Sequence, residues 1–207
     1  DYQNKTHFTG ANGLPDGLVL AITEDAQGAI WVGTERGLAR FTQGRFSPVP
    51  AFDAFVFTLK YYQEQLYIGT ATGLFVYGRG GLTQRNDIDQ GIVQLEAHDQ
   101  KLLGLTFGGK LVNISKEKIT PITNFNNLAL DTCRITHMTS LGSSGIALSV
   151  AGKGIYVCTN ADCYLLDERN GIRTLNIKAL AASAKRLWVG TDDGLYSISF
   201  AAGDTQM

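Results

Sequence analysis

A nine-residue string that occurs three times decides how this chain folds. Residues 30–38 read IWVGTERGL, residues 66–74 read LYIGTATGL and residues 187–195 read LWVGTDDGL. Two weaker copies lie between them, LLGLTFGG at 102–109 and IALSVAGKG at 146–154. The turn glycines stand at 37, 73, 109, 154 and 194, so the steps run from 36 to 45 residues. A period of about 40 residues is the length of one four-stranded propeller blade.

Each copy has the pattern of a β-hairpin in a sheet that is buried on both faces. Alternating, β-branched runs precede the copies, as in residues 19–23, 55–59 and 92–96, and this period of two predicts strands. Gly37 stands where a short hairpin loop needs a positive φ. The third strands are apolar in both directions, as Leu38 and Phe41 show. Sheets packed face to face around an axis would cover both faces.

The repeats predict an all-β fold, a β-propeller of five four-stranded blades in a single domain over residues 1–207. Residues 6–10 (THFTG) resemble an outer fourth strand, whereas the last repeat ends near Phe200 without one. We therefore expect the N-terminal strand to complete the last blade and close the ring, which would remove an exposed edge. The competing interpretation is part of a larger propeller. The expected blades are 17–50, 54–86, 91–123, 133–170, and 176–200 plus 6–10.

Composition excludes several classes of protein. The 207 residues include 18 basic and 19 acidic side chains, and this balance argues against nucleic-acid binding, which needs a basic surface. No apolar run reaches the roughly 18 residues of a membrane span. If the parent protein is exported or anchored, we expect the targeting and membrane segments to lie outside this chain.

The first repeat resembles a known family. Residues 12–17 (NGLPDG), 22–25 (ITED) and 28–34 (GAIWVGT), followed by Gly37 and Leu38, resemble the two-component regulator propeller repeat. The second and fifth repeats keep part of this pattern, and the third and fourth depart from it. The resemblance implies a periplasmic sensor region of a bacterial inner-membrane receptor. The histidine kinase or diguanylate cyclase of this receptor would lie outside this chain. A homodimer would form through the parent receptor.

Cys158 and Cys163 are candidates for a disulfide that closes a hairpin, which an oxidising periplasm would permit. The alternative is two reduced, half-buried thiols. A zinc site is not expected, because the spacing is not that of a C-x-x-C pair and no histidine is nearby. The sequence indicates no other metal site and no cofactor.

No catalytic constellation is visible. The sequence lacks a G-x-S-x-G elbow, a phosphate-binding loop and an H-E-x-x-H motif, which are the signatures of common hydrolytic and nucleotide-binding sites. His98 is interpreted as a solvated turn residue and His137 as packing in the core or channel. Asp192 and Asp193 are interpreted as a solvated hairpin turn.

A ligand site is expected in the loops that lead into each first strand and in the loops between second and third strands, since variable loops on a rigid scaffold carry recognition. Each candidate also has the alternative of a solvated loop position. The candidate ligand-binding residues are Asp16, Asp53, Asp89, Phe107, Asn126, Arg134 and Lys178.

These observations favour a non-catalytic sensor that binds an unknown small molecule or an envelope protein. The alternatives are a propeller glycoside hydrolase or lyase and a protein-interaction scaffold. In the enzyme, Asp16, Asp53 and Asp89 would be the available acids. A glycosidase would need two carboxyl groups about 5–5.5 Å or about 6.5–9.5 Å apart.

Overall fold

The computed structural model describes residues 5–159, 161–183 and 186–199. Over these residues the chain forms successive antiparallel sheets, four of four strands and one of three, and one separate two-stranded hairpin. Each sheet is a meander in which consecutive strands are neighbours. This is the arrangement of a propeller blade.

The strand bounds follow the repeats. The first sheet contains β1 (Val19–Glu24), β2 (Ile30–Thr34), β3 (Gly37–Thr42) and β4 (Arg45–Pro48). The second contains β5 (Val56–Tyr62), β6 (Gln65–Thr70), β7 (Gly73–Gly78) and β8 (Gly81–Gln84). The third contains β9 (Ile92–His98), β10 (Lys101–Thr106), β11 (Leu111–Ile114) and β12 (Ile119–Pro121).

The hairpin β13 (Asn124–Phe125) and β14 (Leu128–Ala129) comes before the fourth sheet. That sheet contains β15 (Ile135–Ser140), β16 (Ile146–Val150), β17 (Gly154–Cys158) and β18 (Cys163–Leu166). The last contains β19 (Ile177–Ser183), β20 (Arg186–Thr191) and β21 (Gly194–Ser199). The helical turns of the described residues are three short 3-10 segments, at Gly10–Asn12, Gly142–Ser144 and Glu168–Asn170.

A threonine hydroxyl closes the loop between second and third strands in each strong repeat. The Oγ1 of Thr34 donates to the Gly37 carbonyl at 3.1 Å and accepts from the Arg36 N–H at 3.2 Å. Thr70 and Thr191 make the corresponding bonds to Gly73 and Gly194. Gly37 has φ 138°, a value that side chains disfavour. The recurring G-T-x-x-G string is therefore a hairpin loop with its own hydrogen bonds.

The chain divides into two compact units, residues up to 95 and residues from 96. In the first unit, Trp31, Leu38 and Val56 belong to a buried cluster between the first and second sheets. In the second unit, Ala147 and Ile177 belong to a corresponding cluster. In both clusters the first strand of one sheet packs on the face of the sheet before it in sequence.

The prediction of a strand at residues 6–10 is wrong. Residues 5–9 have no regular secondary structure, and Gly10 begins a 3-10 turn. Thr9 caps the N-terminus of this turn, because its Oγ1 accepts a hydrogen bond from the Ala11 N–H at 3.2 Å. The Phe8 ring lies 5.3 Å from Phe41 and 5.1 Å from Phe46, measured between centroids. Aromatic packing and the cap therefore replace strand pairing. Phe200 lies outside the described residues, so closure of the ring stays a prediction.

Candidate functional site

Within each unit, loops that are predicted to bind a ligand lie at one edge of the sheets, because hairpin loops are hydrogen-bonded to the starts of first strands. The N–H of Ile135, at the start of β15, donates to the Gly109 carbonyl at 2.9 Å. The N–H of Ala151 donates to the Arg134 carbonyl at 2.9 Å, and in the first unit the N–H of Ala71 donates to Phe55. We call this edge the rim. The first strands end at the opposite edge.

On the rim of the second unit, Phe107 and Arg134 lie at the same hairpin loop. Phe107 is 67% exposed and lies in the loop that ends at Gly109. A Cβ atom added at Gly109 would lie 2.6 Å from Arg134 Cγ, so the stem of this arginine crosses the loop. Arg134 is exposed. An exposed aromatic side chain and an exposed arginine are therefore found at the same loop.

Lys178 lies on the same rim, and its backbone contacts the His137 ring. The His137 ring donates to the backbone carbonyl of Lys178. Burial lowers the pKa of His137, the Lys178 ammonium lowers it further, and this hydrogen bond opposes both. The imidazole is therefore neutral near pH 7. His137 also contacts Thr136 Oγ1 at 3.3 Å through Nδ1.

Asp192 is an ordered rim carboxylate that sequence reasoning assigned to a solvated turn. It is exposed, but it accepts from Asn176 Nδ2 at 2.7 Å and from Thr174 Oγ1 at 2.9 Å. These bonds, with a contribution from Lys178, lower the pKa of Asp192. The T-x-N spacing in the loop leading into β19 was the only sequence signal for this arrangement.

The rim of the first unit carries the acidic candidates. Asp16 Oδ1 accepts the Leu18 N–H at 3.0 Å, so it orders its own loop. Asp53 pairs with Arg36 at 3.9 Å, and both side chains are exposed. Asp89 is exposed too. Asp16 thus contacts a backbone N–H, and Asp53 contacts an arginine.

The prediction that Asn126 lies on the rim is wrong. Asn126 forms the tip of the β13–β14 hairpin with φ 51°, a left-handed conformation that asparagine tolerates. Its Nδ2 donates to the Thr159 carbonyl. Because β17 starts at the rim and ends at Cys158, Thr159 lies at the opposite edge. The segment that contains Asn126 therefore forms a hairpin whose tip lies at the edge opposite the rim.

The hairpin tip rests on a turn that a disulfide closes. Cys158 and Cys163 are bonded and are also register partners on β17 and β18. Asn127 Nδ2 reaches Asp162 Oδ1 at 3.4 Å in this turn. The remaining thiol, Cys133, is free and buried.

We expect reduction of this disulfide to lower stability moderately. A bridge across five residues of sequence stabilises the folded state by about 2 kcal/mol, because it restricts the unfolded chain. For a chain of this size, loss of that stabilisation lowers Tm by roughly 4–8 °C. Thermal unfolding with and without reductant measures the effect, and Cys158→Ser should reproduce it. Cys133→Ser is the control: its Tm should respond to reductant as the wild-type protein does. An unchanged Tm after complete reduction would contradict the prediction.

A cleft of about 370 Å³ opens beside the hairpin, lined among others by His98, Lys101 and Phe125. His98 is the last residue of β9 and is only 8% exposed, so its interpretation as a solvated turn residue is wrong. Its Nδ1 lies 3.2 Å from Ser140 Oγ. Burial lowers the pKa of His98, and Lys101 adds to this while Asp99 opposes it.

Comparison with known proteins supports the fold and identifies the first repeat. Residues 13–36 match the two-component regulator propeller family. The chain carries a two-component regulator propeller repeat. A search of curated proteins gave no match. The matched residues cover the loop before β1, the whole of β1 and β2, and the hairpin loop, which is the part of the chain closest to the expected pattern.

Three solved structures show what the fold resembles. The extracellular domain of a hybrid two-component system from B. thetaiotaomicron is 16% identical with a TM-score of 0.70, over 97% of this chain and 31% of that domain. Inactive virginiamycin B lyase from Staphylococcus aureus, solved with quinupristin, is 16% identical with a TM-score of 0.67, over 90% and 68%. The WD40 β-propeller domain of Doa1 is 12% identical with a TM-score of 0.64, over 93% and 68%.

These likenesses confirm the predicted all-β propeller class. The chain spans about a third of the two-component system domain, and blade number and closure stay predictions. Among the described residues, no helix has the length and apolar character needed to cross a membrane. Within those same residues, no group of three or more His, Cys, Asp or Glu side chains is placed to hold a metal ion.

Proposed function

We propose that this chain is the non-catalytic, extracytoplasmic sensor propeller of a bacterial signal-transduction receptor. The observation that carries the proposal is the two-component regulator propeller repeat at residues 13–36. The likeness to an extracellular domain of a hybrid two-component system supports it. The receptor would lie in the inner membrane with this region in the periplasm, and a homodimer of the parent protein would transmit the signal.

The rim of the second unit is the proposed ligand site. Arg134 and Lys178 are exposed cations, and Phe107 presents an exposed ring. A guanidinium binds a carboxylate through two parallel hydrogen bonds, and an aromatic face stacks on rings or apolar groups. This combination suits a small anionic molecule with an apolar or ring portion. An envelope protein that presents such a group is the alternative partner.

A ligand screen followed by matched variants tests the site. Thermal shift against amino acids, other small carboxylates and acidic oligosaccharides would identify a ligand, and calorimetry would measure its affinity. We expect Arg134→Ala and Lys178→Ala each to weaken binding at least tenfold, because a hydrogen bond to a charged group is worth about 1.5–3 kcal/mol. Lys116→Ala, an exposed lysine in the turn at the opposite edge, should leave affinity unchanged. A ligand that binds all three variants equally would contradict the rim assignment.

The enzyme alternative retains one motivation, the likeness in fold to a lyase. Its acids would be Asp16, Asp53 and Asp89. Release of products from glycans or from quinupristin by the purified chain, abolished in Asp53→Asn, would favour the enzyme over the sensor. Absence of turnover together with ligand-induced stabilisation would favour the sensor.

A further inference from the structure

The cleft of about 370 Å³ beside the β13–β14 hairpin lies at the edge opposite the rim. His98 is the last residue of β9 and Lys101 is the first residue of β10, so both stand where the chain turns back at that edge. All of the residues that line the cleft belong to the second unit. The cleft is therefore separate from the rim, and an inference about it does not rest on the ligand proposed there.

The β13–β14 hairpin forms one wall of this cleft. The four-stranded repeat does not require the hairpin, which is an addition between the third and fourth sheets. Its tip is held in place because Asn126 Nδ2 donates to the Thr159 carbonyl. The hairpin brings the Phe125 ring to 6.3 Å from the His98 ring, measured between centroids, and the buried Leu103 also lines the cleft. The added element thus gives a polar cleft an apolar side.

His98 supplies a fixed hydrogen-bond donor to this cleft. Only 8% of the residue is exposed, and Nδ1 lies 3.2 Å from Ser140 Oγ. This oxygen accepts the Gly142 N–H at 3.2 Å, so its own hydrogen can go to Nδ1, and the neutral ring then carries its proton on Nε2. Nε2 reaches no acceptor among the described residues, and it is not sealed from solvent. It is therefore available to a molecule in the cleft.

Two opposite charges, Asp99 and Lys101, line the same cleft without neutralising each other. Both side chains are exposed, and both act electrostatically on His98. Within the described part of the chain, neither of them forms an ion pair. The amides of Asn113 and Asn124 also line the cleft, and an amide can both donate and accept hydrogen bonds. A complementary ligand carries a positive and a negative group on one small polar body.

We infer that this cleft binds a free α-amino acid in its zwitterionic form. The α-carboxylate would lie at the Lys101 ammonium and the His98 Nε2–H, and the α-ammonium at the Asp99 carboxylate. The side chain of the ligand would lie among the amides and the Phe125 ring. A simple anion would meet the like charge of Asp99, and a neutral sugar would leave both charges of the cleft unmatched, so charge complementarity favours the amino acid.

Calorimetry with defined probes tests the ligand class. The purified protein is titrated with each of the twenty standard L-amino acids, and then with the N-acetyl derivative and the methyl ester of each one that binds. We expect at least one amino acid to bind with a Kd below about 1 mM. Each derivative removes one of the two charges, so each should bind at least tenfold more weakly. The inference is overturned if no amino acid binds, or if either derivative binds as well as its parent.

Matched variants test the place of binding. Asp99→Asn removes the charge and keeps the turn, because asparagine tolerates the left-handed φ of 47° at this position. Lys101→Met removes the other charge and keeps an unbranched stem. Each should weaken binding at least tenfold, whereas Lys116→Met, at the same edge but outside the cleft, should leave the Kd unchanged. If Arg134→Ala on the rim abolishes binding and the two cleft variants do not, the amino acid is a rim ligand and the inference about the cleft is overturned.

Discussion

Asp25→Ala is expected to cost the protein about 3–5 kcal/mol of unfolding free energy. The Asp25 side chain is only 3% exposed, and four donors converge on it. Trp31 Nε1 donates at 2.9 Å and Arg40 at 2.8 Å, and the N–H groups of Gln27 and Ala29 each donate at 3.0 Å. Removing one partner from a buried, charged network leaves the others unsatisfied. Chemical denaturation of both proteins measures the loss.

Two further variants separate charge from geometry. Asp25→Asn keeps the shape but places an amide donor opposite the donors of Trp31 or Arg40, so we expect it to be destabilised as well. Asp53→Ala is the control, because its carboxylate is 75% exposed and lies 3.9 Å from an exposed Arg36. Exposed pairs of this kind contribute at most about 1 kcal/mol. Equal losses for Asp25→Ala and Asp53→Ala would contradict the buried-network account.

The contribution of Asp25 should depend on pH with a definite sign. Burial alone would raise the pKa of Asp25, but hydrogen bonds from Trp31, Ala29, Gln27 and Arg40 outweigh it and lower the pKa below its ordinary value of 3.8. The stabilisation that a lowered pKa provides is complete at pH values above the pKa of the unfolded state. It is lost as the pH falls through the pKa of the folded state. The stability difference between wild type and Asp25→Ala should therefore be constant from pH 7 to 5 and narrow below about pH 4.

Much of the fold could be predicted because the repeat itself encodes it. The G-T-x-x-G string carries both the hydroxyl that closes the loop and the glycine with positive φ, so Thr34 and Gly37 specify the hairpin locally. The position of Asp25 was visible in the ITED string at residues 22–25. The contribution of Arg40 could not be predicted, because Arg40 lies 15 residues from Asp25 in sequence and reaches it across the sheet.

The errors fall where sequence pattern is short. The strand-like string at residues 6–10 spans too few residues to outweigh the packing of Phe8 on Phe41. The β13–β14 hairpin has two residues in each strand, too few for any periodicity, so Asn126 was read as part of a loop. Its partner Thr159 lies 33 residues away. The position of a candidate residue on the rim was therefore predictable only where strand ends fix it, as for Arg134 and Lys178.

Gly69→Val is expected to destabilise the protein strongly. A Cβ at this position would lie 2.5 Å from Thr58 Cγ2 and 2.6 Å from the backbone oxygen of Ile92. A side chain could rotate away, but a carbonyl inside a sheet can move only if β9 moves with it. Overpacking against such a wall costs about 3 kcal/mol or more.

The measured effect should be a fall in Tm of roughly 6–12 °C, since 1 kcal/mol corresponds to about 2–4 °C in a chain of this length. Gly69→Ala should already show part of it, because the first added carbon makes the contact. Gly80→Val adds the same side chain in open space and should change Tm by less than about 2 °C. If Gly69→Val unfolds at the wild-type temperature, β6 and β9 do not pack as closely as described, and the blade-on-blade arrangement from which the rim is built would have to be abandoned.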